Sequence, residues 1–411
     1  MPTPSSSEPD PHQEKRALNW SYVLIGVADG SLLPFVPLFL LQRGMSAPVI
    51  GAVLAAAALA SLAAGLNWAY LADRHLRPER IVVFASIAAA LSALLLTLTR
   101  GAVVLTAVIV VLWLARAPFM LLDPITLRRL RKGRRTDYAR IRLRMSAGWA
   151  ASVTATGGVY QVASLRLMPF VYAPLTALFG LWVWRSLAPA PASETPLPQS
   201  TAAAPRMTTR LPLTLLAFLV SSFLLGASLA ATNNFLTLQI TVLGGGALLV
   251  GAAAAFQALT EIPTMGYTHV LTRYLSHRAL FAVGCGIYVV IFIAWAFVSD
   301  AFTAAALKLA VGVAFALTYV AQVVLADELS PARLRATGQA LVKSITFGLA
   351  PVAGSFGGGV IYGTLGPRAM FLLATVVVAA AGAIAVVAVR APAKQPAEQM
   401  APAPEPAAVT P

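Results

Sequence analysis

Charge is scarce in this chain. Only 11% of its 411 residues are Asp, Glu, Lys or Arg, less than half the share found in an ordinary globular protein, which excludes a soluble enzyme. Cysteine is scarcer: Cys285 stands alone inside an apolar stretch, so neither a disulfide framework nor a Cys/His metal spacing can be built. No Ser/His/Asp set, paired cysteine or nucleotide motif appears. The glycine-rich Gly354-Ser355-Phe356-Gly357-Gly358-Gly359 is followed by no Lys-Ser/Thr pair, so it is no phosphate loop. Its small-xxx-small spacing instead lets membrane helices approach and rock. Catalysis is not expected, and no cofactor or metal is implied. The opening residues, MPTPSSSEPDPHQEKR, are polar and Pro-rich and show no removable signal.

What the chain has in abundance is apolar sequence, 58% of all residues. A bilayer core needs about 20 apolar residues of helix. Twelve stretches qualify, at about 18–41, 48–72, 79–98, 102–123, 141–163, 167–187, 211–238, 247–271, 278–298, 302–325, 337–363 and 367–390. An even number puts both termini on one side. The net charge of +15 would suggest nucleic acid as partner in a soluble protein, but these basic residues sit between apolar runs. With both ends cytoplasmic, twenty-three Lys and Arg fall on that side and only Arg43, Arg100, Arg166 and Arg368 on the other, the bias that sets membrane orientation. Segment 188–210, rich in Pro, Ser, Thr and Ala, reads as a flexible cytoplasmic linker between two six-helix bundles, 18–187 and 211–390, with disordered tails at 1–17 and 391–411. Arginine over lysine by 25 to 5, with heavy alanine use, points to a GC-rich bacterium and its inner membrane.

Some of these residues form a pattern. Leu71-Ala72-Asp73-Arg74-His75-Leu76-Arg77-Pro78-Glu79-Arg80 follows the second span, and a weaker echo, Thr272 to Arg278, follows the eighth, the position a second repeat gives it. Further along come Pro34-Phe35-Val36-Pro37, Asp123, Tyr138-Ala139-Arg140-Ile141-Arg142 leading to Gly148-Trp149, Glu261-Ile262-Pro263, and Arg335 to Ala340. Together they resemble the major facilitator superfamily, and within it the branch of the lactose and phenylpropionate permeases. The resemblance implies an all-α membrane fold of two pseudo-symmetric six-helix bundles that alternates access around a midplane cavity, often with protons. It implies Arg142 as a substrate-binding arginine with Asp123 close to its acidic partner, Lys308 on the matching lysine of span ten, and Glu261 about one turn from the acid of span eight. Asp73 and Arg74 become a conformational loop motif. The expected histidine and glutamate of span ten are Val311 and Ala314 here, and the arginine of span nine falls near Val290, so that branch's proton relay does not carry over.

Ionisable groups inside a span cost several kcal/mol and survive only against a wet cavity or a partner. Asp29, midway along span one, can carry a proton or touch substrate; its rival role is a bundle hydrogen bond. Glu261, followed by the helix-kinking Pro263, is the preferred proton carrier. Arg116 and Asp123 are seven apart, two helical turns on one face, so Arg116 can reach substrate unless a salt bridge with Asp29 claims it. Arg142 begins span five among eight other basic residues and would by composition be a topology determinant; Trp149, seven residues on, offers a stacking surface on the same face. Lys308 and Lys343 can face the cavity or snorkel. Asn233, Asn234 and Gln257 can bond a ligand or another helix. Four intramembrane or border cations, Arg116, Arg142, Lys308 and Lys343, against Asp29, Asp123 and Glu261 leave one positive charge over. That surplus points to an anionic cargo. The expected function is a monomeric secondary transporter in the lipid bilayer, handling a small organic anion such as a carboxylate together with a proton. Export of a drug, metabolite or siderophore is the alternative, lowered because span five lacks a glycine-proline motif. A transporter-like assembly or sensor protein is a third, against which the intramembrane charges argue.

Overall fold

The structure is a computed structural model that describes residues 11–74, 77–130, 135–187, 211–331 and 334–389. The linker 188–210 and the tail 391–411 lie outside the described residues. Twelve membrane-length helices are found among those described: α1 (His12–Gln42), α2 (Ala47–Arg74), α3 (Pro78–Leu98), α4 (Ala102–Arg129), α5 (Arg135–Val162), α6 (Leu165–Ser186), α7 (Leu213–Val242), α8 (Ala247–Leu271), α9 (His277–Phe297), α10 (Ala301–Glu328), α11 (335–365) and α12 (367–387). The last two are separated by a kink at Gly366, whose φ of 86° is open to glycine and is followed by Pro367, which cannot continue the ladder. Residues 12–17, expected in the N-terminal tail, are instead the first turns of α1. They are held there because Arg129 pairs with Glu14 at 3.5 Å and the Trp182 indole donates to the Ala17 carbonyl at 3.1 Å.

The two halves are built alike. Along 21–28 and 31–40 the order of buried and half-buried positions is the same as along 221–228 and 231–240. Gly26 of α1 presses on the Met145 carbonyl of α5, and Gly226 of α7 presses on the Thr346 carbonyl of α11. In each case a side chain would have to occupy the partner's backbone, so the close crossing requires glycine.

Between the halves, α2 packs on α11 and α5 on α8. Gly51 meets Ser355 and Gly359, while Gly251 meets Val153 and Phe35. Gly157 meets Ala247, and Gly359 meets Ala47. All these contacts lie toward the membrane face whose loops carry few basic residues, so the bundles are sealed to one another there. The other face, rich in Lys and Arg, is where a cavity between them opens.

Candidate functional site

The cavity has a volume of about 410 Å³ and is lined from both bundles, within the range of small-molecule sites. From the first bundle come Leu33, Pro34 and Pro37 of α1 and Arg142, Ser146 and Trp149 of α5. Pro34 opens a short 3-10 turn at Leu33–Phe35 that breaks α1 beside the cavity. From the second bundle come Asn233, Asn234 and Thr237 of α7, Gln257 and Glu261 of α8, and Lys308 and Phe315 of α10. Helix spacing explains the grouping: Arg142 and Trp149, like Lys308 and Phe315, are seven residues apart and so share a face.

Lys308 is 8% exposed. Its Nζ donates to Asn233 Oδ1 and, at 2.9 Å, to Gln257 Oε1. The same Gln257 turns its Nε2 toward Glu261 Oε2 at 3.5 Å. Glu261 also lies within electrostatic reach of Lys308 and of Arg142 across the cavity. Asn234 lines the cavity while its Nδ2 donates to Ser355 Oγ on α11 at 2.9 Å. At the basic-rich mouth Arg142 Nε stands 3.9 Å from Asp123 Oδ1, both side chains 44% exposed. The hydroxyl of Tyr22 donates to Asp123 at 2.6 Å, anchoring the carboxylate to α1.

Five of the residues expected at a substrate or proton site therefore face one void: Arg142, Trp149, Asn234, Lys308 and Glu261. Asp123 stands beside Arg142 rather than in the lining. Asp29 and Arg116 are elsewhere. They pair at 2.5 Å inside the first bundle with both side chains 10% exposed, next to Trp113, whose ring lies 5.5 Å from the guanidinium, so Arg116, expected at the substrate, is held by Asp29 and does not line this cavity. Arg116 and Asp123 do not share a face. The residues between them, Ala117–Leu121, form a 3-10 turn that contains Pro118; at three residues per turn it rotates the chain by about 20° more per residue than an α-helix. Lys343 is also displaced, lying in a separate crevice between α10 and α11 with Tyr319, Gln322 and Phe347. Asp73 and Arg74 end α2; their side chains, like His75 and Leu76, lie outside the described part. Pro34, Thr237 and Phe315 line the cavity without having been expected to. For Phe315, the seven-residue step from Lys308 was the available signal.

Among the described residues no three His, Cys, Asp or Glu side chains gather as a metal ion would require.

Two six-helix bundles around a largely apolar void into which a few charged and amide side chains project from both sides have the architecture of a membrane transporter. The comparisons agree. Residues 16–373 match the model of the MFS_1 like family, and the chain belongs to that family. The maltose permease of Geobacillus stearothermophilus is 30% identical over 257 residues, 59% of this chain; the chain spans 61% of that relative's length. Among solved structures, a point mutant of the nucleoside transporter NupG superposes with a TM-score of 0.79 at 17% identity, covering 92% of this chain and 100% of that one. A bacterial homolog to the human lysosomal transporter Spinster, inward-facing and occupied, superposes with a TM-score of 0.71 at 16% identity, covering 94% and 98%. At these identities the likeness is one of fold, that of the major facilitator transporters.

Proposed function

We propose that this chain is a proton-coupled secondary transporter that carries a small organic anion, a carboxylate, across the bacterial inner membrane. The observation that supports it is the charge balance of the cavity. With the Asp29–Arg116 pair and Lys343 removed from the count, Arg142 and Lys308 face Asp123 and Glu261. The surplus counted from sequence disappears. The empty, deprotonated cavity is neutral, and so is the cavity holding one proton on Glu261 and one monoanion. Either ligand alone leaves an uncompensated charge in a low-dielectric passage, which is costly. Coupling follows from that cost: the cavity crosses the membrane most readily empty or doubly loaded. The mouth at the basic-rich face is the cytoplasmic one by charge bias, making this the inward-open state. Arg142, Asp123 and Lys308 are the residues that support placing the site in the lactose and phenylpropionate permease branch.

The test is uptake into proteoliposomes of the full chain, with [14C]benzoate and [14C]pyruvate, under an imposed inward proton gradient and without one. Uphill accumulation of a monocarboxylate is expected in the wild type. Glu261→Gln is expected to keep exchange of that anion and to lose gradient-driven accumulation. Undiminished accumulation by E261Q would overturn the assignment of the proton to Glu261.

A second reading, a neutral hydroxyl-rich cargo, is favoured by the amide wall of Asn233, Asn234 and Gln257 beside Trp149 and by the similarity to a maltose permease. [14C]maltose and [14C]uridine belong in the same panel, and transport of either in preference to both acids decides for it. Right-side-out and inverted vesicles separate import from export.

A further inference from the structure

Lys308 and Glu261 face the same void but do not bond. Among the described residues no ion pair within 4 Å joins them, although each feels the other's charge. What stands between them is one side-chain amide. Gln257 precedes Glu261 by four residues and so sits one turn away on the same face of α8. Its oxygen accepts from the Lys308 ammonium at 2.9 Å and its nitrogen faces the Glu261 carboxylate at 3.5 Å. The chemistry of the neighbours dictates that orientation: an ammonium only donates and a carboxylate only accepts, so a primary amide fits between them one way round.

We infer that Gln257 is a spacer that keeps Lys308 and Glu261 from collapsing into a direct salt bridge, so that the ammonium stays available to an anion and the carboxylate to a proton. This rests on the proposed function and assigns a positioning residue to it. A direct bridge would satisfy both charges at once. Each would then resist its ligand, because binding would have to break the pair. The ammonium has three N–H donors, and Asn233 and Gln257 take two. The third is the one an anionic cargo can use. Asn233 comes from α7, Gln257 from α8 and Lys308 from α10, so the lysine held by the spacer also ties together the three helices that form this wall.

The groups that face Glu261 are Gln257 on its own helix, Lys308 of α10, Arg142 of α5 and, within electrostatic reach, Tyr288 of α9. Of these Lys308 is the cation that the spacer governs. Removing the amide while keeping its bulk, Gln257→Met, lets the flexible lysine swing onto Glu261. A cation brought into contact lowers a carboxylic acid's proton affinity by about one pH unit or more.

The test reads Glu261 directly and needs no substrate. The carbonyl stretch of the protonated acid is followed by infrared difference spectroscopy on the full-length purified protein as pH is varied, with E261Q identifying the band. In Q257M its midpoint is expected to move acid by at least about one unit. Adding Lys308→Met should abolish that shift, so that Q257M/K308M titrates with K308M. Gln257→Leu serves in the same way if Q257M does not fold. An unmoved midpoint in both single variants, or a shift that survives K308M, overturns the spacer. A general packing defect would lower transport at every pH without moving the band. The proposed function fails by a different measurement: the proteoliposome panel, in which the wild type would move neither acid.

Discussion

Gly51 of α2 and Gly251 of α8 occupy equivalent seats in the two halves, each pressed against the opposite bundle: Gly51 on Ser355 and Gly359 of α11, Gly251 on Val153 of α5. A Cβ at either position would have to displace partner backbone, which cannot yield as a flexible side chain can. The sealed face therefore depends on both. Gly51→Val or Gly251→Val is expected to hold the basic-poor face ajar and to reduce transport at least about tenfold. The check is thiol labelling of a cysteine placed at Thr237, from the basic-poor side. Background is low because the native Cys285 is 1% exposed. Labelling no faster than in the glycine parent would refute the seal.

How much of this could be read from sequence depends on distance along the chain. The twelve spans were legible because each needs only its own apolar length. The pairs Arg142 with Trp149 and Lys308 with Phe315 lie at helical spacing within uninterrupted helix, and there periodicity places both members in the cavity. Arg116 and Asp123 have the same spacing but a 3-10 turn at Ala117–Leu121 between them, and the inference from seven residues to one face broke at that turn. The Asp29–Arg116 pair joins α1 to α4 across 87 residues, and sequence offered it only as a rival to a substrate role. Gln257 was legible only as a side chain able to bond a ligand or another helix. Its place between a cation and an anion comes from the packing of α8 on α10, which no local pattern records.

Asp29 and Arg116, buried together at 2.5 Å, are expected to act as a unit. Breaking such a pair from one side leaves a lone buried charge and costs about 3–5 kcal/mol, whereas replacing both by apolar residues of similar volume is close to neutral. Asp29→Leu and Arg116→Met should each lower the unfolding temperature of the detergent-solubilised protein, and the double variant should recover most of it with gradient-driven uptake retained. A double variant that is stable yet has lost only proton coupling would return Asp29 to the proton pathway.

Asp300 caps the first turn of α10, its Oδ1 accepting from the Thr303 amide at 2.8 Å. Those backbone donors favour the carboxylate and hold its pKa below the usual aspartate range. A depressed pKa stabilises the fold above the unfolded value, about 4, and that contribution is lost as pH falls through the lower folded value. Asp300→Ala should therefore unfold at a lower temperature than the wild type at neutral pH. The gap should close on acidification, as thermal melts at a series of pH values would reveal. A gap independent of pH would mean that the carboxylate charge contributes nothing.

Lys343 lies in the crevice with Tyr319, Gln322 and Phe347, apart from the main cavity. The residue is exposed and does not line the main cavity, so it has no part in the cavity's charge balance. Lys343→Gln is expected to leave the KM of the transported solute within about twofold of wild type, while Lys308→Gln raises it about tenfold or more. Equal effects from the two substitutions would put both lysines on the cargo's route.

Arg142 and Asp123 give the sharpest division between the two cargo readings. Asp123 is fixed by Tyr22 at 2.6 Å and stands 3.9 Å from the Arg142 Nε, so its charge offsets the arginine at the mouth of the cavity. Asp123→Asn removes one negative charge while the amide oxygen can still accept from Tyr22. The empty cavity then carries a net positive charge with Glu261 ionised. An organic anion no longer needs a proton to restore neutrality. Its binding should tighten on the order of tenfold at alkaline pH, with fewer protons moved per molecule transported, both measurable by isotope uptake alongside a trapped pH dye. A neutral cargo has no charge to gain from the substitution, and D123N would then weaken transport without relaxing its pH dependence. Arg142→Lys keeps the charge and loses the planar fork that can grip a carboxylate with two N–H groups. Under the anion reading it should raise KM at every pH and leave the proton count per anion unchanged, because the charge balance that sets the count is intact.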